Sequence, residues 1–357
     1  MPPGAPRVAP DGGGAAAHTG LAPCRAPGAL RVDPRPRLAY AGPMQWFYDP
    51  GYDYGAGLPG LPREVHGFVL HKPSEIRAHL IGAGVVASDA FARPEAVSEG
   101  ELRRVHDPRL IAALDEPASL AAAIELPELA HLPAAPLRRA LVEPQLLAAG
   151  GTYLAMRTAA HGTWAVNLSG GYHHARRNLS HGFCLINDIA LACARLRREG
   201  VRRRMLILDL DLHQGDGNAT IFADDPEVFT VSVHEENLFP IPKMRSDIDI
   251  GLRSYAEDGD YLAAVEEAIA RARRHFTPDM VVFVAGSDPY EDDPLGTLQV
   301  SAPAMRERDR RVAELARELG CPLVALPAGG YSDESPAITA AGFGAIAEVE
   351  STTAPRR

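Results

Sequence analysis

Short apolar runs alternating with helix-length stretches predict an α/β chain, with a central, mostly parallel sheet flanked by helices as a three-layer sandwich. Three observations carry that expectation. Runs such as residues 205–208 and 280–284 are apolar without alternation and too short for a helix, as strands buried on both faces are. Helical patterns separate these runs, as βαβ units with right-handed crossovers require. Glycines, acids and imidazoles follow directly after the runs, where open α/β sheets place their ligand sites.

Taken in order, residues 1–43 are rich in Pro, Gly and Ala and lack apolar periodicity, so they are expected to form a disordered extension. A single domain is expected over residues 44–352, with a tail at 353–357. Residues 45–82 are aromatic and turn-rich, with Trp46, Phe47, Tyr48, Tyr52, Tyr54, His66 and His71, and read as a lid or channel wall or as an edge element. Residues 99–114 read as helical, with His106 as a structural histidine. The Ala/Leu-rich residues 120–160 read as helical with breaks at Pro127, Pro133, Pro136 and Pro144. Strands are expected at 163–168, 205–210, 228–233, 280–284 and 323–326. Helices are expected at 183–198, 260–276, 303–319 and 335–349.

The composition of the 357 residues is that of an ordinary globular protein, 46% hydrophobic and 23% charged. A net charge of −10 without a long basic run argues against nucleic acid as a partner and suits a cationic substrate. The four cysteines, Cys24, Cys184, Cys193 and Cys321, are scattered, which suggests neither a disulfide framework nor a cysteine metal knuckle. No apolar stretch reaches spanning length and the N-terminus lacks a secretory pattern, so no membrane partner and a cytoplasmic location are expected.

The chemistry centres on residues 205–217, M-L-I-L-D-L-D-L-H-Q-G-D-G. Side chains two apart on an extended chain share a face, so Asp209, Asp211 and His213 point the same way as the strand leaves the sheet. Asp216 follows, between Gly215 and Gly217. A helix cap would explain one such acid, but not the set.

The other strands end in the same manner. Residues 163–168 lead into S-G-G-Y-H-H-A, whose adjacent His173 and His174 should titrate as a coupled pair and suit proton transfer near neutral pH. In H-G-F-C, Gly182 and Phe183 are placed to line a narrow apolar slot. Residues 280–284 lead into A-G-S-D-P-Y-E-D-D-P-L-G, where Asp288 is placed to join Asp211 and His213, and Asp292 and Asp293 read as a turn or solvated patch. Residues 323–326 lead into P-A-G-G-Y, with Gly329, Gly330 and Tyr331. A mixed N/O set of three ligands with an open position is the pattern of catalytic zinc.

These motifs resemble the histone deacetylase family, of the arginase/deacetylase fold, and the Gln214 and N-A-T-I-F text is most similar to class IV and bacterial members. The resemblance runs over about residues 45–349. It implies one Zn²⁺ per chain, held by Asp211, His213 and Asp288. It further implies His174 as general base and then acid, His173 as electrostatic support, and Asp209 and Asp216 as their orienting partners. Tyr331 would donate to the developing oxyanion. A structural potassium is implied at Asp209, Asp211, His213, Ser232 and Val233, and a second monovalent site at Phe222, Asp225 and Val228. Phe239 is nominated for the far wall of the substrate channel, beside Gly182, Phe183, Gly329 and Gly330.

On this resemblance the expected activity is zinc-dependent hydrolysis of an Nε-acyl-lysine amide, acetyl or longer, in a protein, peptide or small molecule. Two alternatives stand beside it: acetylpolyamine or other small-molecule amide hydrolysis, and an inactive acyl-lysine-binding module. Tyr290, where arginase-like binuclear enzymes carry a further Asp, favours one metal ion over two. Leu295 stands where polyamine-specific relatives place Glu, which argues against a polyamine gatekeeper.

Overall fold

The computed structural model describes residues 42–55, 64–65 and 68–352. Among the described residues ten strands form: β1 (Gln45–Phe47), β2 (Glu64–Val65), β3 (Phe68–Val69), β4 (Phe91–Ala92), β5 (Ala165–Asn167), β6 (Met205–Asp209), β7 (Val228–Glu235), β8 (Ile248–Leu252), β9 (Met280–Val284) and β10 (Leu323–Leu326). Eight of them form one sheet in the order β4-β1-β5-β10-β9-β6-β7-β8, and every pairing in it is parallel. The expected mostly parallel sheet is thus parallel throughout; β2 and β3 form a separate antiparallel pair.

The order explains why distant motifs meet. The chain builds β5, then β6, β7 and β8 outward, and returns to insert β9 and β10 between β5 and β6. The carboxyl ends of β5, β10, β9 and β6 therefore lie side by side, and each leads into one of the four unusual loops. The sheet is buried on both faces. Along β6, Leu206 and Leu208 join one hydrophobic cluster while Met205 and Ile207 join the other, and β9 alternates in the same way. Each fully buried aliphatic of this kind contributes about 1.5–3 kcal/mol.

Helix ends follow the local sequence. Ser301 caps the helix Ala302–Leu319 by accepting from Ala304 N, and Gly320 ends it in the left-handed conformation at φ 64°. Asn187 caps the helix Asp188–Arg198 by accepting from Ala190 N. That helix starts five residues later than expected, because Gly182 (φ 54°) and Phe183 (φ 63°) are left-handed and cannot open a right-handed helix. Neither Pro136 nor Pro144 breaks a helix: the chain is helical from Ala134 to Ala160, and a π-helical stretch, Arg138–Val142, runs directly into Glu143–Ala160 just before Pro144. The expected helix over 99–114 is two short pieces, Glu99–Leu102 and Pro108–Ala113.

Of the sheet's strands, β1, β4 and β8 fall outside the expected set, as does the separate pair β2 and β3. β1 lies inside the sheet between β4 and β5, so the start of the supposed lid is core. The expected disordered extension, apart from its last two residues, together with the tail and His66, lies outside the described residues. Among the described residues no helix is long and apolar enough to cross a membrane.

Candidate active site

At the carboxyl edge of the sheet, β6 delivers Asp211 and His213 and β9 delivers Asp288. Ligand-capable atoms of these three buried side chains lie within 4.8 Å of one another. His213 Nδ1 is 3.0 Å from Asp288 Oδ2 and 3.4 Å from Asp211 Oδ1. Backbone donors fix the carboxylates: Gly329 N donates to Asp211 Oδ2 (2.9 Å), and Leu212 N donates to Asp288 Oδ1 (3.0 Å). The backbone approach is close. A Cβ at Gly286 would fall 2.1 Å from Asp211 Oδ2, and one at Gly329 would fall 2.3 Å from Asp288 Oδ2, so only glycine fits at either position.

The electrostatics are those of a buried anionic pocket. Burial, then the neighbouring Asp211, raises the Asp288 carboxyl above its ordinary range. Burial opposes charge on Asp211 too, yet His173 and His213 hold it well below that range. Burial works against a charged His213, but hydrogen bonds to Asp211 and Asp288 lift it to about 10. Two desolvated carboxylates on one imidazole require a compensating cation, a proton on His213 or a metal ion.

The loop after β5 supplies the histidine pair. Asp188 holds that loop, accepting from Gly171 N (2.9 Å), Tyr172 N (2.8 Å) and Thr152 Oγ1 (2.6 Å). The two rings lie 4.0 Å apart, each paired with its own carboxylate: His173 Nδ1 with Asp209 Oδ2 at 2.8 Å, and His174 Nδ1 with Asp216 Oδ1 at 2.7 Å. Burial lowers both imidazoles, but Asp209 and Asp211 reverse it for His173, which rises to about 9. His174 drops to about 3 through burial and the adjacent His173. The two rings are pushed in opposite directions, His173 toward the charged form and His174 toward the neutral one.

The Tyr331 ring lies 6.4 Å from the His213 ring and 5.5 Å from Phe183. Desolvation, then Asp288 and Asp211, keeps its phenol protonated well above 10. A cavity of about 70 Å³ beside these groups is lined by His173, Gly182, Phe183, Gly329, Gly330 and Tyr331, among others. Phe239, nominated for the same channel, does not line that cavity. It stands edge-on to His174 at 4.9 Å, His181 at 5.3 Å and His213 at 6.2 Å. Ser232 lies opposite Asp209 in the β6/β7 register, and Val233 follows it, fully buried; the Ser232 hydroxyl bonds His234 Nδ1 at 2.9 Å.

Several groups here were not singled out in the sequence. Asp293 is buried rather than solvated, and accepts from Tyr331 N (2.7 Å) and Ser332 N (3.3 Å). Arg176 and His181 both reach Asp216 Oδ2, at 2.6 and 3.0 Å. The Lys72 ammonium donates to the carbonyls of Ala328 (3.0 Å) and Gly329 (2.6 Å), on the loop that carries Tyr331. The adjacent acids of the E-D-D-P text read as a turn or solvated patch, and nothing local marks Lys72.

Comparison with known proteins places the chain in a family. The family model described as the histone deacetylase domain matches residues 66–344. The chain belongs to the histone deacetylase family. Its relatives include an uncharacterized protein of Picosynechococcus sp., 34% identical over 78% of this chain and 90% of that one. Histone deacetylase 2 of Arabidopsis thaliana is 32% identical over 80% of this chain and 75% of its own length. The acetoin utilization protein AcuC of Bacillus subtilis is 33% identical over 67% and 66% respectively. Among solved structures, a histone deacetylase homolog complexed with SAHA matches with a TM-score of 0.68 at 22% identity, over 88% of this chain and 86% of that one. The acetylpolyamine aminohydrolase of Burkholderia pseudomallei matches with a TM-score of 0.65 at 22% identity, over 85% and 98%. These two likenesses bear out the arginase/deacetylase fold. The protein is a histone deacetylase-family hydrolase, and its sheet is the eight-stranded parallel sheet described above.

Proposed function

We propose that this histone deacetylase-family hydrolase removes an acyl group from lysine Nε, using one zinc ion held by Asp211, His213 and Asp288. The observation that carries the proposal is the convergence of those three ligands, from two neighbouring strands, beside a histidine pair and Tyr331. The donor set fits the ion: one imidazole and two carboxylates, buried and held by backbone donors, with negative charge in excess. Among the described residues this is the one such group, which supports a single ion.

When bound, zinc supplies a Lewis acid for the scissile carbonyl and lowers the pKa of water to roughly 7. The protein groups do the rest. With Nδ1–H donated to Asp216, neutral His174 presents Nε2 as an acceptor, takes the proton of the attacking water and returns it to the departing amine. His173, charged and paired with Asp209, stabilises the negative charge that develops next to it. Tyr331 keeps its proton and donates it as a hydrogen bond to the oxyanion. A module that only bound acyl-lysine would have no use for a neutral imidazole beside a charged one.

The test is a substrate panel with metal analysis. Purified protein should carry about one zinc per chain and hydrolyse acetyl-lysine or longer acyl-lysine peptides. Turnover of acetylpolyamines alone would move the substrate to small amines, and no turnover of any acyl amine by zinc-loaded protein would overturn the proposal.

A further inference from the structure

Among the described residues the largest fully buried side chain, Arg308, is not part of the chemistry above. It lies on the helix Ala302–Leu319 and is 1% exposed. Its Nε donates to Asp309 Oδ1 at 2.6 Å, and the guanidinium stacks over Phe283 of β9 at 5.4 Å. The far end of the fork reaches the edge of the sheet. Nη1 donates to Gly286 O at 2.6 Å and, at 3.3 Å, to Leu210 O and the Tyr261 hydroxyl; Nη2 reaches Ala285 O at 3.4 Å. The Tyr261 hydroxyl in turn donates to Leu210 O at 3.1 Å.

The targets are what matter. β6 and β9 are neighbours, and Leu210 N donates to Val284 O at 3.1 Å as they leave the sheet. Past that bond the chains splay to present Asp211 and Asp288. Leu210 O belongs to the peptide joined directly to Asp211, and Gly286 O lies two residues before Asp288. Arg308 therefore ties the two ligand-bearing strand ends to each other from behind. Asp309 holds the guanidinium in place and is itself packed tightly: a Cβ at Gly342, on the helix Ser335–Ser351, would fall 1.8 Å from its Oδ2.

A buried ion pair is a poor way to gain stability, because desolvation offsets most of the attraction. Apolar side chains would fill the same volume, but they would not bridge three carbonyls on two strands. We infer that Arg308 is a positioning residue that sets the separation of Asp211 and Asp288, and hence the affinity of the site for its metal ion. Tyr261 acts with it on the Leu210 side. The inference rests on the metal site proposed above.

The experiment measures zinc affinity by competition with a chromophoric chelator, in the whole protein, alongside thermal unfolding of the metal-free form. Variants are Arg308→Met, Arg308→Met with Asp309→Asn so that no charge is orphaned, Arg308→Lys, Tyr261→Phe and Asp288→Asn. Folded Arg308→Met should bind zinc roughly 10–100-fold more weakly, the range for groups that orient metal ligands. Arg308→Lys should recover part of that loss, and Tyr261→Phe should show a smaller loss in the same direction. A purely structural Arg308 would lower the unfolding temperature and leave zinc affinity within twofold of the parent, which overturns the inference. If both Arg308→Met forms fail to fold, Tyr261→Phe decides, and unchanged affinity there overturns it. If Asp288→Asn abolishes binding while the Arg308 and Tyr261 variants keep it, only the positioning role falls. If the parent binds no zinc, or Asp288→Asn binds it normally, the metal site falls and the positioning role with it.

Discussion

His174 Nδ1 lies 2.7 Å from Asp216 Oδ1, and the other oxygen of the same carboxylate is held by Arg176 Nε at 2.6 Å. The arrangement leaves Asp216 no freedom to rotate. It is anionic, held far below the carboxylate range against its own burial by its bonds to His174 and His181. It can only accept, so the proton of a neutral His174 must be on Nδ1.

This relationship makes Asp216→Asn informative. The amide can offer N–H to Nδ1 and so stabilise the wrong tautomer, with the proton on Nε2. General-base function would be lost, for which about 10²–10⁴ in rate is typical. The expected outcome is a fall in kcat of that order, with zinc content unchanged by metal analysis. Normal turnover would show that Asp216 does not set the tautomer.

Tyr331→Phe removes one hydroxyl and leaves the ring packing against Phe183 and His213 in place. Loss of a single oxyanion donor costs about 10²–10³ in kcat. We expect a drop in that range, with zinc affinity and the unfolding temperature within error of the parent. Steady-state kinetics at saturating substrate checks it, and near-normal kcat would remove the phenol from the reaction.

What the sequence made legible, and what it did not, divides along physical lines. β6, β9 and β10 are read directly because a strand buried on both faces is an uninterrupted apolar run. Their loops are read because Asp, His and Gly in close spacing are rare outside such sites. β8 is missed because only its two ends are buried: Ile248 and Leu252 lie in the core while Asp249 and Gly251 are exposed. β1 and β4 are three and two residues long, too short to show a period. Lys72, Asp293 and Arg308 acquire their roles from partners up to 258 residues away, and no local pattern encodes that. Phe239, expected on the far wall of the substrate channel, stands instead beside His174, outside the cavity lined by Phe183 and Tyr331.

Gly182→Ala tests the channel wall. The position is left-handed at φ 54°, which costs an L-residue about 1–2 kcal/mol. A Cβ there would fall 2.6 Å from His174 Cδ2 and 2.8 Å from Phe239 Cε1. Ring and wall must therefore move apart. The variant should fold with slightly lower stability, keep its zinc, and lose at least tenfold in kcat/KM toward acyl-lysine peptides. A catalytically normal Gly182→Ala would mean that His174 has slack in its seat.

Acid stability depends on a histidine outside the site. His106 Nδ1 is 3.0 Å from Arg176 O, and its Nε2 accepts from Asn187 N at 3.0 Å. Asn187 N–H can only donate, so the ring must be neutral. Burial lowers it to about 4, with Arg176 O opposing the shift. An unfolded histidine takes its proton near pH 6.5, so the unfolded state binds the extra proton between about pH 6.5 and 4. Stability should then be full above that window and fall through it by up to about 3 kcal/mol. His173 and His213, raised to about 9 and about 10, do not contribute in the window, because both states are charged below pH 6.5. Asp209 and Asp293, raised by burial to about 6 and about 7, act in the opposite sense there. The quantity to read is therefore the difference between parent and His106→Gln in the slope of unfolding free energy against pH. Denaturant titrations at pH 7.5, 5.5 and 4.5 should show a slope smaller by one proton in the variant, and equal slopes would mean that His106 takes up its proton at the same pH in both states.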